Sequence, residues 1–264
     1  MADCEKEEAQ NLQLEFEWVL RKEVHAVVSQ LHAILVECGR RFPACSNDAS
    51  HRQEKFMLSA LPEQPKCVIT LAGDSITHAE INLRVQRQQV VTYRTTIQAE
   101  SPWRLQQIQD AGNHLQQAIV HTEAIDKDYM FKSSEEVLYI LGNILGALQR
   151  ARTSLIVPRK KTIDDLMRSR NMKSLVPNLP EDLAISFYVQ SHKLVFAVYQ
   201  LTNVQGTMKF DTHQAECSIP WLNEALVLLT VALQLCQQLK DKIGVFSQYK
   251  DFTVGMRVAS PVPQ

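Results

Sequence analysis

Gly73-Asp74-Ser75-Ile76 is the segment whose residue types come nearest to nucleophilic chemistry. A serine presented on a Gly-Asp turn after the strand-like run CVITLAG has the form of an ester hydrolase nucleophile. In that pattern the serine needs a base from an Asp-x-x-His close to the C-terminus. The Asp-x-x-His of this chain, Asp48 to His51, lies upstream, and Asp211 and His213 have one residue too few between them. Turn chemistry alone explains Gly-Asp-Ser after a strand. The histidines point no more strongly to a reaction. His25 and His32 are seven apart, as are His114 and His121, so each pair shares a helix face. The partners of each pair are separated by about 10 Å along the axis, too far for two ligands of one zinc ion. There is no Gly-rich phosphate loop and no Cys/His metal cluster, so no cofactor or metal is expected and the chain reads as a non-enzyme.

Charge is the second kind of chemistry the residues offer. Between positions 150 and 173 stand eight bases, Arg150, Arg152, Arg159, Lys160, Lys161, Arg168, Arg170 and Lys173, against Asp164 and Asp165, a local charge of +6. The first 17 residues hold Asp3, Glu5, Glu7, Glu8, Glu15 and Glu17 against Lys6, a charge of -5. A basic segment of this size can steer an acidic partner or anionic surface. Arg159, Lys160, Lys161, Arg168, Arg170 and Lys173 are therefore the candidate partner-binding patch, with a solvated linker as the plainer reading. Without interleaved aromatic residues a nucleic-acid role is not expected.

The whole chain is nearly neutral, with a net charge of -1 over 264 residues, so it exerts no global pull on nucleic acid or anionic lipid. A hydrophobic content of 45% supports a substantial core in one large domain or two modest ones. Six cysteines, Cys4, Cys38, Cys45, Cys67, Cys217 and Cys236, include no Cys-x-x-Cys pair. Cys38 and Cys236 fall on apolar helical stripes, the usage of a reducing compartment. The acidic N-terminus lacks an apolar signal core, so the expectation is a cytosolic or nuclear protein.

Any such site must be positioned by helices, and the terminal ones read most clearly. SIPWLNEALVLLTVALQLCQQLKDKIGVFSQY, from residue 218, has a charge-free run of 15 residues at 225–239, short of the roughly 20 a bilayer requires. Leu222, Leu226, Leu229, Leu233 and Cys236 step by 4 and 3, and Leu239, Ile243 and Phe246 resume the stripe with shifted phase. Leu20, Val24, Val27, Leu31, Ile34 and Cys38 repeat the step near the other end, with Gly39 as its stop and Arg40 and Arg41 at the dipole's negative end. These two segments are expected to zip together although they lie more than 180 positions apart. Ser101-Pro102 predicts the start of another helix with the stripe Leu105, Ile108, Ala111, Leu115, Ala118 and Ile119. Ser133 and Glu136 form a capping box for one carrying Val137, Leu138, Leu141, Ile144, Leu145, Leu148, Ala151 and Leu155.

The rest of the chain is rich in β-branched residues and alternates. Strands are predicted in 67–73, 81–85 and 90–97, then at LAISFYVQ from residue 183 and KLVFAVYQL from 193, joined by a hairpin at Ser191-His192, and from residue 208. The fold class is α+β, with four long helices in an antiparallel bundle and the two strand blocks meeting in one separate antiparallel sheet. The domains expected are a bundle of 1–48, 101–158 and 218–250, a β domain of 52–100 and 175–217, a basic connector at 159–174 and a disordered tail at 251–264.

The long phrase IPWLNEALVLLTVALQLCQQLKDKI from residue 219, with EVHAVVSQLHAIL at 23–35 and WRLQQIQDAGNHLQQAI at 103–119, resembles the Rogdi family. The phrases touch the start, middle and end of the chain, and the resemblance covers nearly all of it. It implies an elongated molecule with a leucine-zipper-like helical bundle and a separate β domain, and no catalytic residues. It also implies a scaffold subunit of a RAVE-like complex that regulates V-ATPase assembly and vesicle acidification. The expected partners are a large β-propeller protein of the Rabconnectin type and, through the complex, peripheral-sector pump subunits. The location implied is cytoplasmic, with a peripheral pool at synaptic or endosomal vesicles; the short apolar run predicts no transmembrane segment, and zipping within one chain predicts a monomer when alone. Two alternatives come from other classes: a self-associating coiled-coil scaffold with a nuclear role, and a GDSL-like serine hydrolase using Ser75.

Overall fold

The computed structural model describes residues 2–42, 53–59, 66–86, 89–159, 161–204 and 207–247, so the expected tail at 251–264 lies outside the described residues. The chain mixes helix with two antiparallel sheets. In order the elements begin with α1 (Ala2–Trp18), a π turn (Val19–Glu23), α2 (Val24–Arg41), β1 (Gln53–Leu58), β2 (Lys66–Ala72), β3 (Ser75–Gln86), β4 (Val90–Ile97) and β5 (Trp103–Arg104). There follow α3 (Gln106–Glu123), α4 (Ser134–Ile156), α5 (Ile163–Met167), β6 (Leu175–Val176), β7 (Leu183–Gln190), β8 (Lys193–Val204), β9 (Thr207–Ser218) and α6 (Pro220–Ser247). They divide into two compact units, the first from Met1–Glu37, His114–Arg150 and Leu228–Gln264, the second from Cys38–Asn113 and Ala151–Val227.

In the first unit the described elements are helical. The rings of Phe16 and Phe246 lie 5.2 Å apart, and Lys242 Nζ reaches Glu23 Oε2 at 2.6 Å, so the N-terminal helix and α6 run antiparallel. The Cys236 thiol donates to the Leu141 carbonyl at 3.7 Å, tying α6 to α4. Besides Val19, which is buried in the π turn, the buried stripe of the N-terminal helix in this unit runs Phe16, Leu20, Val24, Val28, Leu31 and Leu35. Its first three steps are all of four residues, which would drift round a regular helix; the wider i→i+5 π turn takes up that drift. Beyond it the helix is regular, and positions 24, 28, 31 and 35 fall within a band about 60° wide, while 27 and 34 lie on its margin. Val27 and Ile34 are accordingly half-buried, whereas their neighbours Val28 and Leu35 are buried.

The helix passes through Gly39, where the sequence suggested a stop, and ends at Arg41. The reason lies in the second unit, where the Phe42 amide donates to the Cys38 carbonyl at 3.0 Å and the Phe42 ring packs edge-on against Trp221 at 5.4 Å. Burial of Phe42 holds the last turn closed.

The second unit contains both sheets. One has the order β1-β2-β3-β4-β6 with β5 on β3, and the other the order β7-β8-β9. The single sheet expected from the sequence is thus corrected to two. The edge strands β1 and β9 touch through one antiparallel bridge, Ser59 with Glu216, and β6 lends only two residues of the later chain to the first sheet. Strands β4 and β7 coincide with the expected runs, and the β7-β8 hairpin turns at Ser191-His192, with Ser191 at φ 60°. Continuous apolar runs in β7 and β8 match their burial, as both faces of these strands are covered around Phe187 and Phe196.

The helix expected to open at Ser101-Pro102 begins later, at Gln106. Trp103 and Arg104 pair instead with Ile76 and Ser75 of β3, and the buried Trp103 indole meets Phe187 edge-on at 5.3 Å. Helix α4 begins as expected, with the Glu136 amide donating to Ser133 Oγ at 3.3 Å. By length and composition alone α6 could cross a membrane. One stripe of it, Leu222, Leu226, Leu229, Cys236, Leu239 and Ile243, is buried in protein.

Candidate partner-binding surfaces

The Gly-Asp-Ser segment forms the two-residue hairpin between β2 and β3, in which Ala72 pairs with Ser75 and Gly73 sits at φ 62°. A positive φ at the first turn residue is the role glycine fills in a primed turn. The Ser75 hydroxyl donates to Asp74 Oδ1 at 2.7 Å, and the Asp74 carbonyl accepts the Leu105 amide at 2.8 Å. The serine is therefore engaged with its own turn, not with a histidine.

The histidines serve helix packing. His25 Nε2 donates to the Tyr129 carbonyl at 2.8 Å and its ring lies 5.2 Å from that of Phe131. His32 Nδ1 is 3.1 Å from the Thr122 hydroxyl, which itself donates to the Ile119 carbonyl. His114 Nδ1 is 3.2 Å from Gln117 Oε1. Among the described residues no group of three or more His, Cys, Asp or Glu could hold a metal ion. Burial pushes the thiols of Cys217 and Cys236 up to about 11, and that of Cys67 further, so these cysteines stay protonated at neutral pH.

Of the zipper positions, Leu20, Val24, Leu31, Leu222, Leu226, Leu229, Cys236, Leu239 and Ile243 are buried, whereas Val27, Ile34 and Leu233 are half-buried. Ala232 occupies the deepest place beside Leu233.

The basic segment is folded in the second unit. Thr162 caps α5, accepting the Asp165 amide on its hydroxyl while the Asp165 carboxylate accepts the Thr162 amide. The Thr162 hydroxyl also donates to the Asp165 carboxylate at 2.7 Å, and this bond, with that from the Thr162 amide, holds the Asp165 carboxyl below the usual carboxylate range. Leu166 is buried, and Met172 Sδ accepts the Ile185 amide of β7 at 3.5 Å, so the segment is pinned at two points. Arg159 pairs with Asp110. Lys161, Arg168, Arg170 and Lys173 are exposed, and Lys160 lies outside the described residues.

A second polar surface was not singled out by sequence reading. It is the outward side of the first sheet, where a groove of about 980 Å³ is lined by Lys66, His78, Glu80, Asn82, Arg84 and Arg94 together with threonines of β4. Its signal was present in HAEINLRV, whose polar residues occupy every second position.

Comparison with known proteins supplies the kinship. The family model described as "Rogdi leucine zipper containing protein" matches residues 15–214. "Protein rogdi" of Drosophila melanogaster is 60% identical over 261 residues, 98% of this chain and 97% of that protein. "Protein rogdi homolog" of Homo sapiens is 38% identical over 268 residues, covering 90% and 93%. The homologue of the same name from Caenorhabditis elegans is 25% identical over 249 residues, covering 84% of each. With the family match running through helices and sheets alike, and relatives aligned along almost their full length, the chain belongs to the Rogdi family.

Proposed function

We propose that this chain is a non-catalytic adaptor subunit of a RAVE-like, Rabconnectin-type complex. In that role it promotes joining of the peripheral sector of the V-ATPase to its membrane sector, and hence vesicle acidification. Membership of the Rogdi family supports the reading, as do relatives whose names denote no enzymatic activity. The observation that carries it is the state of the basic segment. Capped at Thr162 and anchored by Leu166 and Met172, it holds Arg168, Arg170 and Lys173 out to solvent on a fixed backbone. A solvated linker needs no such anchoring, whereas a preorganised contact benefits from it.

In this reading the helices of the first unit work as an antiparallel four-helix bundle with the zipper stripes as its core. A large β-propeller protein of the Rabconnectin type is the direct partner, and peripheral-sector pump subunits are reached through it. The chain acts in the cytoplasm, with a pool at synaptic or endosomal vesicles.

The test is affinity purification of the tagged full chain followed by mass spectrometry. The wild type is compared with an Arg168→Glu/Arg170→Glu/Lys173→Glu variant and with Leu229→Asp as a disrupted-core control. Recovery of a propeller protein and pump subunits by wild type, reduced in the triple variant, supports the proposal. Recovery of this chain alone points to self-association, and equal recovery by wild type and triple variant removes the basic segment from the contact.

A further inference from the structure

The outward side of β3 presents His78, Glu80, Asn82 and Arg84, alternating with buried Ala79, Ile81, Leu83 and Val85. Register places Lys66 of β2 and Arg94 of β4 opposite Asn82 on its two sides, and Arg84 two residues further along β3. Neighbouring strands are about 4.8 Å apart and alternate residues about 6.7 Å, so three cations surround one neutral amide. No carboxylate among the described residues pairs with Lys66, Arg84 or Arg94. Glu80, the acid lining the groove, has His78 Nε2 at 3.7 Å.

The next row of the same face is different in character. Met57, Val68, Glu80, Thr96 and Val176 follow one another across five strands, and Met57, Val68 and Val176 are exposed at 68%, 43% and 50%. A basic row thus lies beside a row with exposed apolar ends.

We propose that this groove docks an extended acidic segment of a partner protein, its carboxylates on Lys66, Arg84 and Arg94 and its alternate apolar side chains over Met57 and Val68. The polar face of β3 from His78 to Arg84 is about 20 Å long, the span of six or seven extended residues. At about 980 Å³ the groove is far larger than a single anionic group. Asn82, Thr92 and Thr96 offer neutral hydrogen-bonding groups between the cations. Nucleic acid is disfavoured because no Phe, Tyr or Trp lines the groove for successive bases to stack on. An anionic membrane is disfavoured because the surface is concave and carries Glu80. The site is separate from the basic segment at 159–173 and does not depend on its role.

The experiment is fluorescence anisotropy of the full chain with a labelled decapeptide of alternating Glu and Val, against the same peptide with Gln for Glu. Saturable binding that weakens with salt is expected. It should fall about tenfold in Arg84→Glu/Arg94→Glu, fall less in the milder Arg94→Gln, and be unchanged in Arg168→Glu/Arg170→Glu. Equal binding by all variants, with melting curves superimposed on wild type, overturns the proposal. So does tighter binding of a single-stranded oligonucleotide or of phosphatidylserine vesicles that is lost in the same variants. A wild-type dimer dissolved by Arg84→Glu/Arg94→Glu also overturns it, because the occupant is then a second copy with its acidic N-terminus.

Discussion

The side-chain amide of Gln107 copies a neighbouring strand at Val189: its Nε2 donates to the Val189 carbonyl at 2.8 Å and its Oε1 accepts the Val189 amide at 2.8 Å. The same Nε2 donates to the Ser154 carbonyl at 3.0 Å, so one side chain of α3 closes the free edge of β7 and ties it to the end of α4. Gln107→Glu keeps the shape but removes the donor, leaving two carbonyls facing a carboxylate. A loss of about 2–3 kcal/mol is expected, since unpaired part-buried polar groups cost that much. Urea unfolding followed by circular dichroism reads it, and a change below the error of the fit would show that water replaces the amide without loss.

The pairing of the N-terminal helix with α6 gives the second prediction. Phe246 is buried against Phe16, so Phe246→Ala should cost about 3 kcal/mol. Glu23 and Lys242 are 25% and 40% exposed, and Lys242→Gln should cost less than about 1 kcal/mol. A double-mutant cycle on Phe16 and Phe246 checks whether the loss belongs to their contact. Truncation after Pro220 removes nearly all of α6 and should yield aggregated protein; a soluble, cooperatively melting product would refute the dependence.

How far the sequence could reveal this depended on the kind of pattern involved. The buried faces of α3 and α6 follow a 3.6-residue period and were legible residue by residue, with Leu233 the exception because the small Ala232 sits nearer the axis of contact. Val27 and Ile34 misled because a strict four-three step imitates a coiled-coil seam, whereas the helix keeps its own period after the π turn. Strand β1 was missed because QEKFML alternates weakly, its exposed positions including Met57. The groove on the first sheet was visible only as alternation in HAEINLRV. That Lys66 and Arg94 flank Asn82 depends on strand register, which one strand does not encode.

Three glycines make predictions of opposite sign. A Cβ added at Gly142 of α4 or Gly244 of α6 meets no atom within 4 Å, so alanine there gains helix propensity without a clash. Each substitution should stabilise by about 0.7 kcal/mol and raise Tm by about 2 °C. Gly73 sits at φ 62°, where alanine is strained, and Gly73→Ala should destabilise by about 1–2 kcal/mol. Melting temperatures of the three single variants decide the matter, and a fall for Gly142→Ala or a rise for Gly73→Ala would contradict the geometry.

The thiols set a pH dependence. Burial raises Cys217, helped by the neighbouring Glu216 carboxylate, and Cys236 from 9.0 to about 11, whereas in the unfolded chain they ionise near their ordinary value. Between those values the unfolded state releases protons that the folded state retains, so it binds fewer protons and stability falls with rising pH. The contribution is fully present below pH 9.0 and is lost as pH climbs towards about 11. Urea midpoints measured across this window should decline, and the slope should flatten in Cys236→Ala once its lower starting stability is subtracted. An unchanged slope would mean that Cys236 ionises as readily in the folded helix as in the unfolded chain. Its thiol donates to the Leu141 carbonyl at 3.7 Å, and a thiolate could not make that bond. The same variant should therefore also loosen α6 from α4, read as faster amide exchange in the turn around Cys236 even at neutral pH.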